Sequence, residues 1–364
     1  MGRVRVLIVD DSRSARGLIR ALLESAEAIE VCGEASNGRE AVALNLSLRP
    51  DIITMDLQMP EMDGMQAIAE IMAQRAVPIL VLSDVADAHN AMAAVARGAL
   101  EAAPKPTLDA GASLAKRVRM LARVPVIRHI RHGGTLLARL DPVPLSLAPL
   151  VPSPQAAMTP GPADATPAPV HGDERVIAIA ASTGGPQALA RVLPALPAHF
   201  PAPILIAQHI SDGFAAAMAD WLDELCALRV AIGRDGEPIE PGRVYLADSM
   251  THLTLGAGGR IRLEPRVETD IYRPSCDRLL DSLAARAGRA AIGVILTGMG
   301  RDGARGIASI AQAGGATIAQ DEASSVIFGM NREAILTGGV QWVLPLDLIA
   351  SELIMMTRPG GLSE

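Results

Sequence analysis

Ser182 closes a short apolar run, Val176–Ala181, and is followed by Thr183, Gly184, Gly185 and Pro186. An uninterrupted apolar run of this length predicts a strand buried on both faces of a parallel sheet. Proline at its favoured first position then opens the helical pattern P-Q-A-L-A-R-V-L. Strand, turn and helix together set Ser182 at the carboxyl end of a strand, facing amides at a helix N-terminus. Open α/β sheets place their sites there, and such amides favour negative charge. A hydroxyl in that position is either an activated nucleophile or a contact for a phosphate. A nucleophilic serine needs an adjacent base, and the base needs a carboxylate to orient it. His209, after the apolar run Pro203–Ala207, and Asp302, in the turn T-G-M-G-R-D-G, supply both from two further strand ends. That glycine-rich turn also offers backbone N–H groups, Met299's among them, to a developing oxyanion. Taken singly, each residue has a plainer role. Ser182 with its two glycines fits a phosphate-cradling turn, though G-x-G-x-x-G is missing. His209 fits a hydrogen-bonded loop histidine, and Asp302 a helix N-cap. The chain order Ser…His…Asp also differs from the Ser…Asp…His of α/β-hydrolases.

A second set of chemical residues lies in the first third. Asp10 and Asp11 follow the strand-like run Arg3–Val9, Asp56 follows Asp51–Met55, Ser83 follows Val77–Leu82, and Lys105 follows Ala99–Ala103. Helical patterns at Ser12–Ser25, Gly38–Leu48, Met65–Gln74, Ala88–Arg97 and Asp109–Arg123 alternate with these runs and with Val31–Ala35. Such β-α alternation predicts a doubly wound parallel sheet in the flavodoxin-like order, with all these polar residues in one crevice. Three converging carboxylates repel, and a hard divalent cation such as Mg²⁺ relieves that. Ser83 is then placed to hydrogen-bond a phosphoryl oxygen and Lys105 to pair with its charge.

With its D-D pair, M-D-L-Q-M-P-E-M-D-G and P-K-P, residues 1–123 resemble a response-regulator receiver domain. The resemblance implies that Asp56 accepts a phosphoryl group from a sensor histidine kinase, with Asp10, Asp11, Asp56 and the Gln58 carbonyl around Mg²⁺. Ala102 stands where receivers often carry an aromatic, so signal output has to run through Ser83 and surface repacking.

Residues 175–364 read as a second α/β domain with a mostly parallel sheet. Within it Arg229–Gly259, broken by D-G-E-P, E-P-G and G-A-G-G, predicts antiparallel hairpins at an edge or flap. The stretches A-S-T-G-G-P, I-A-Q-H-I, L-T-G-M-G-R-D-G-A-R-G and A-G-G-A-T-I-A-Q-D-E-A-S-S-V-I-F-G-M are similar to the chemotaxis protein-glutamate methylesterase family, whose catalytic domain follows a receiver. The resemblance implies Ser182 as nucleophile, His209 as general base and acid, and Asp302 as orienting carboxylate, with Thr183 and the Met299 amide at the substrate carbonyl. It implies hydrolysis of glutamate γ-methyl esters on the cytoplasmic helices of methylated chemoreceptors, with deamidation of receptor glutamine as a second reaction and no cofactor for the ester step. Ala180, Ser211–Asp212, Ala247–Leu253 (A-D-S-M-T-H-L) and Asn331 depart from the family pattern, which bears on substrate preference more than on chemistry. The rival reading is a phosphorylation-dependent adaptor with a changed rim.

Between the domains, 124–174 is dominated by proline and alanine and reads as a semi-rigid tether. Arg117, Arg119, Arg123, Arg128, Arg131 and Arg139 make its approach basic, and His129, His132 and His171 are expected to be solvent-exposed. A net charge of −7 and 2% aromatics argue against nucleic-acid binding. Cys32, Cys226 and Cys276 lack metal-ligand spacing and fit buried free thiols. No signal-peptide layout and no membrane-length apolar run appear, so the expectation is a cytoplasmic protein without membrane insertion.

Overall fold

The computed structural model describes residues 2–124 and 175–358. The tether therefore lies outside the described residues save for Val124, and so do Arg128, His129, Arg131, His132, Arg139 and His171.

The N-terminal unit runs β1 (Val4–Val9), α1 (Arg13–Glu24), β2 (Ile29–Ala35), α2 (Gly38–Leu48), β3 (Ile52–Met55), α3 (Gly64–Gln74), β4 (Ile79–Ser83), α4 (Ala88–Ala96), β5 (Glu101–Pro104) and α5 (Gly111–Leu121). Side chains that prefer capping to helix interiors start several of these helices: Ser12, Asn37 and Asp63 each accept an amide of the first turn. The strand order is β2-β1-β3-β4-β5 and every pair is parallel. That is the flavodoxin-like order expected.

The C-terminal unit runs β6 (Val176–Ala181), α6 (Gly185–Val192), β7 (Ile204–Gln208), α7 (Ala215–Leu225), β8 (Arg229–Ile232), β9 (Arg243–Leu246), β10 (Thr251–Leu255), β11 (Ile261–Pro265), α8 (Cys276–Ala287), β12 (Ala291–Ile295), α9 (Ala304–Gln312), β13 (Ala316–Gln320), α10 (Met330–Leu336), β14 (Trp342–Leu344) and α11 (Leu346–Met356). Seven strands form one sheet in the order β14-β13-β12-β6-β7-β9-β8, all parallel. All six residues of β6 are buried, because helices cover both faces and strands flank both edges. The topology reverses there: β7 is added on one side of β6 and β12 on the other. Ser182, His209 and Asp302 thus follow three adjacent strands at the switch point.

The hairpin expectation for Arg229–Gly259 holds only in part. β8 and β9 pair in parallel and extend the main sheet, since ten residues between them allow a crossover rather than a tight turn. Only β10 and β11 are antiparallel, and they form a separate two-stranded sheet.

The two units touch. Gln187 Nε2 donates to the Ala99 carbonyl at 2.8 Å, and Val85 lies against Gly213. Val326 and Ile327 pack against the N-terminal core cluster that includes Leu114 and Val118. The α4–β5–α5 face therefore covers the end of the C-terminal sheet that carries Ser182.

Candidate active site

Local geometry at Ser182 is set by glycine. Gly184 has φ +79°, and a Cβ there would lie 2.6 Å from Val326 Cβ. An L side chain would be strained twice over. Gly298 sits so close behind the serine that an added Cβ would come within 2.7 Å of Ser182 Cβ. The serine backbone is fixed by its N–H to the Thr297 carbonyl (3.1 Å) and by its own carbonyl, which accepts from Gly185 N (2.8 Å). Gln208 Nε2 reaches that same carbonyl at 2.8 Å and the His209 carbonyl at 2.9 Å, bracing the two strand ends together.

His209 Nε2 and Asp302 Oδ2 are 2.8 Å apart. Asp302 is a hub at the N-terminus of α8, where the dipole favours an anion. Its Oδ2 also accepts from Cys276 N (2.7 Å), and its Oδ1 accepts from Asp277 N (3.0 Å) and Ser275 Oγ (3.2 Å). Burial opposes the carboxylate's charge, but hydrogen bonds from His209 and these amides hold its pKa below the usual range. Ionised Asp302 assigns the proton to Nε2 and leaves Nδ1 as the basic nitrogen. Ser182 shares one cavity of about 540 Å³ with His209. Among the described residues its hydroxyl makes no hydrogen bond to His209; such contacts commonly tighten only when substrate binds.

Thr183 is buried and Met299 is half exposed. Thr183 Oγ1 lies 3.4 Å from Glu101 Oε2 of the N-terminal unit. Glu101 in turn pairs with Arg117 (3.1 Å), and Arg117 Nη1 donates to Ser211 Oγ (3.2 Å). The cavity wall is thus shared, with Met92, Glu101, Ala102 and Arg117 on one side and Ser182, His209 and Tyr272 on the other.

Several neighbours escaped the sequence reading. Tyr272 stacks on the His209 ring with centroids 5.1 Å apart and planes 13° from parallel. The Cys276 thiol lies 3.5 Å from His209 Nε2; burial, then the charge of Asp302, pushes its pKa well up and keeps it protonated. Of the departures noted above, Ser211 and Asp212 serve the domain contact and an ion pair with Arg266 (2.9 Å). Asn331 is fully buried and donates to the Gln320 carbonyl at 2.7 Å, so it is a structural strut. Ala180 is buried and abuts Gly303, where a Cβ would come within 3.3 Å of the Ala180 Cβ.

In the N-terminal crevice, single carboxylate oxygens of Asp10, Asp11 and Asp56 all lie within 4.8 Å of one another. Lys105 Nζ is 2.9 Å from Asp56 Oδ2 and 3.1 Å from Asp10 Oδ2. That second contact is an ion pair without hydrogen-bond geometry, which leaves buried Asp10 Oδ2 unsatisfied. Burial and then the Asp10 charge raise the Asp56 pKa, against the opposing pull of Lys105. For Lys105, burial alone would lower the pKa, but the paired carboxylates of Asp56 and Asp10 outweigh it and raise it. One ammonium shared by clustered carboxylates leaves net negative charge, which fits a hard cation with oxygen ligands. The Gln58 side chain turns away to Asp87 (2.8 Å); the expectation there concerns only its carbonyl. Ser83 is buried beside Lys105, whose amide donates to the Ser83 carbonyl at 3.1 Å.

The carboxylate cluster supports a prediction. Raising the pKa of Asp56 in the fold means that its ionised form costs stability at neutral pH, a cost that shrinks as pH falls toward the unfolded value. Mg²⁺ at ten times its Kd is expected to raise the melting temperature of the N-terminal unit by about 5 °C. Asp56→Asn removes a carboxylate from the set and is expected to lose most of that Mg²⁺ response. Equal responses by differential scanning calorimetry would place the ion elsewhere.

Comparisons with known proteins agree in both halves. Residues 177–353 match the family model described as CheB methylesterase, and residues 6–119 match the response regulator receiver domain. The chain is 47% identical over 98% of its length to a protein-glutamate methylesterase/protein-glutamine glutaminase from Paramagnetospirillum magneticum, covering 97% of that protein. A protein of the same description from Anaeromyxobacter dehalogenans is 42% identical, with 98% and 97% covered. The crystal structure of the Thermotoga maritima CheB methylesterase catalytic domain is 39% identical, covering 50% of this chain and 97% of that one, with a TM-score of 0.48. Among the described residues no helix is long and apolar enough to cross a membrane.

Proposed function

Because the chain belongs to the CheB methylesterase family, with a response-regulator receiver domain in front, we propose that Ser182, His209 and Asp302 hydrolyse glutamate γ-methyl esters on the cytoplasmic helices of chemoreceptors. The enzyme is a carboxyl-ester hydrolase of chemotaxis-type signalling, controlled by its receiver. The observation that carries the assignment is the His209–Asp302 pair, 2.8 Å apart, beside the strand end that bears Ser182.

Ser182 Oγ attacks the ester carbonyl carbon while its proton passes to His209 Nδ1. Asp302 holds the imidazole and stabilises the imidazolium, without itself taking the proton. Charge gathers on the former carbonyl oxygen, for which the Met299 N–H and Thr183 are the proposed donors. One such donor is worth about 10²–10³ in rate. The tetrahedral species expels the methoxy oxygen, which takes the proton from His209 and leaves as methanol. Water, deprotonated by His209, then splits the glutamyl-Ser182 ester to glutamate and free serine. With receptor glutamine the same acyl-enzyme forms and ammonia leaves, in keeping with the glutaminase activity in the relatives' names.

In the receiver, the Asp56 carboxylate is the phosphoryl acceptor and a sensor histidine kinase the donor. Asp10, Asp11, Asp56 and the Gln58 carbonyl would hold Mg²⁺, which supplies neutralising charge to the phosphoryl oxygens when bound. Lys105 pairs with the new charge and Ser83 hydrogen-bonds it.

A serine-reactive fluorophosphonate tests the ester site. Covalent labelling is expected at Ser182 alone, slowed strongly by Asp302→Asn. An unreactive Ser182 in phosphorylated protein would favour a phosphorylation-dependent adaptor.

A further inference from the structure

The general base is held from two directions, and only one of them is Asp302. Tyr272 covers a face of the His209 imidazole in an offset, nearly parallel stack, 5.1 Å between centroids. It also reaches toward the glycine-rich turn, where a Cβ on Gly300 would meet its hydroxyl at 3.0 Å. Tyr272 belongs to no helix or strand, so something else must hold its segment still.

That role falls to a second His–Asp pair. His252, 1% exposed, stands on β10. Its Nδ1 accepts the Ser275 N–H at 2.9 Å, which places the ring proton on Nε2, 2.8 Å from Asp270 Oδ2. The same Asp270 oxygen accepts from Val267 N (2.7 Å), and Oδ1 takes Arg278 Nη2 (3.0 Å). Hydrogen bonding from His252, then from the Val267 amide, holds the Asp270 pKa below its usual range. Two residues after Asp270 comes Tyr272. Ser275, which donates to His252, also donates through its hydroxyl to Asp302. The two His–Asp pairs therefore share one support.

We propose that Tyr272 is a positioning residue for ester hydrolysis, its ring holding the His209 imidazole toward Asp302, and that the pair of buried His252 and half-buried Asp270 holds Tyr272 in turn. The inference rests on the reading of His209 as the base. Stacking limits rotation of a ring that must pass protons from one nitrogen while the other stays anchored. An aromatic face also favours the imidazolium over the neutral ring, so the contact is worth more in the transition state than in the ground state. Cation–π contacts correspond to about 2- to 30-fold in rate.

Methanol release from methylated receptor by the full chain, with Mg²⁺ and a small acyl-phosphate donor, decides it. Tyr272→Leu is expected to lower kcat by about tenfold with KM within about twofold. Tyr272→Phe keeps the ring and is expected to recover to within about threefold of the natural rate. Asp270→Ala frees the segment and is expected to lower kcat as Tyr272→Leu does. If Asp270→Ala fails to fold, the Tyr272 pair still decides. Unchanged kcat in Tyr272→Leu, equal losses in Leu and Phe, or a loss confined to KM would each overturn the proposal. Ser182→Ala run alongside separates the two claims: methanol release by that variant sinks the site itself, whatever Tyr272 does.

Discussion

Ser182→Ala is expected to fold normally and release no measurable methanol from methylated receptor. The side chain it removes sits in a pocket whose shape depends on backbone, namely Gly184, Gly298 and the bonds to Thr297 and Gly185. Losing one hydroxyl there disturbs little packing. It removes the atom proposed to form the acyl-enzyme, and the Cys276 thiol cannot replace it, being buried and held protonated. Asp302→Asn has a different signature, a slowing of about 10³–10⁴-fold rather than abolition. An amide NH₂ at that position would face N–H or O–H donors in either flip, since His209 and Cys276 N meet one oxygen and Asp277 N and Ser275 Oγ the other. It either forces the wrong imidazole tautomer or leaves amides of α8 unpaired, so stability falls as well. The sign with pH follows. A carboxyl whose pKa is lowered in the fold stabilises it above the unfolded value, about 4, and that contribution fades as pH falls through the folded value. The stability gap between Asp302→Asn and the natural chain is therefore wider at pH 7 than at pH 3, which denaturant titration at the two pH values reads directly. Undiminished methanol release from Ser182→Ala would end the serine mechanism.

Strand ends are the most legible feature of this sequence. Apolar runs of four to six residues, each followed by a polar residue and a helical pattern, mark β1, β3, β6, β7 and β12 closely. In a parallel sheet every such end points the same way, so residues distant in sequence could be grouped. Register and pairing were less visible. β8 and β9 are short, with turn residues between them, and nothing in their composition separates a crossover from a hairpin. Side-chain partners supplied by irregular segments were invisible for a different reason. Tyr272 meets His209 only because of a buried histidine on β10, and no periodicity links the two. Cys276 had no ligand spacing in sequence, yet one turn of chain before α8 brings it beside the base. Ser211 and Asp212 line the Ser182 cavity, and Ser211 also meets Arg117 of the receiver, a contact the sequence does not announce. Contacts between domains depend on surface shape, which a pattern of hydrophobic and polar residues does not encode.

Removing the receiver is expected to accelerate the enzyme without phosphorylation. The path from Asp56, the proposed phosphoryl acceptor, to Ser182, the proposed nucleophile, is short. Lys105 contacts Asp56 and directly follows β5, the strand that begins with Glu101. Glu101 meets Thr183, next to Ser182, and Arg117 ties Glu101 to Ser211 near His209. On the proposed function, the receiver in this arrangement stands where a receptor helix would enter. Its polar contacts are part-exposed, and each is worth about 0–1 kcal/mol. A closed state favoured by about 1.4–2.8 kcal/mol in total would hold the enzyme shut 10- to 100-fold, the covalent linkage of the two domains supplying local concentration. On the proposed reading, phosphorylation at Asp56 would add charge, draw Lys105 and Ser83 to it and shift β5 toward a state that packs less well on Thr183. Ala102 has no aromatic to swing, so the expected route is Ser83 together with repacking of the β5 surface. Full-length protein should be slow and sped about tenfold by Mg²⁺ with a small phosphodonor, whereas Asp56→Asn should stay slow in both conditions. Glu101→Ala and Arg117→Ala should each raise the unstimulated rate about 2- to 5-fold, and less than additively together, because they break one shared contact. A chain starting near Gly172 should be fast and indifferent to the donor. If that shortened chain is no faster than unphosphorylated full-length protein, covering of the active site is the wrong account, and the receiver instead brings the enzyme to its receptor.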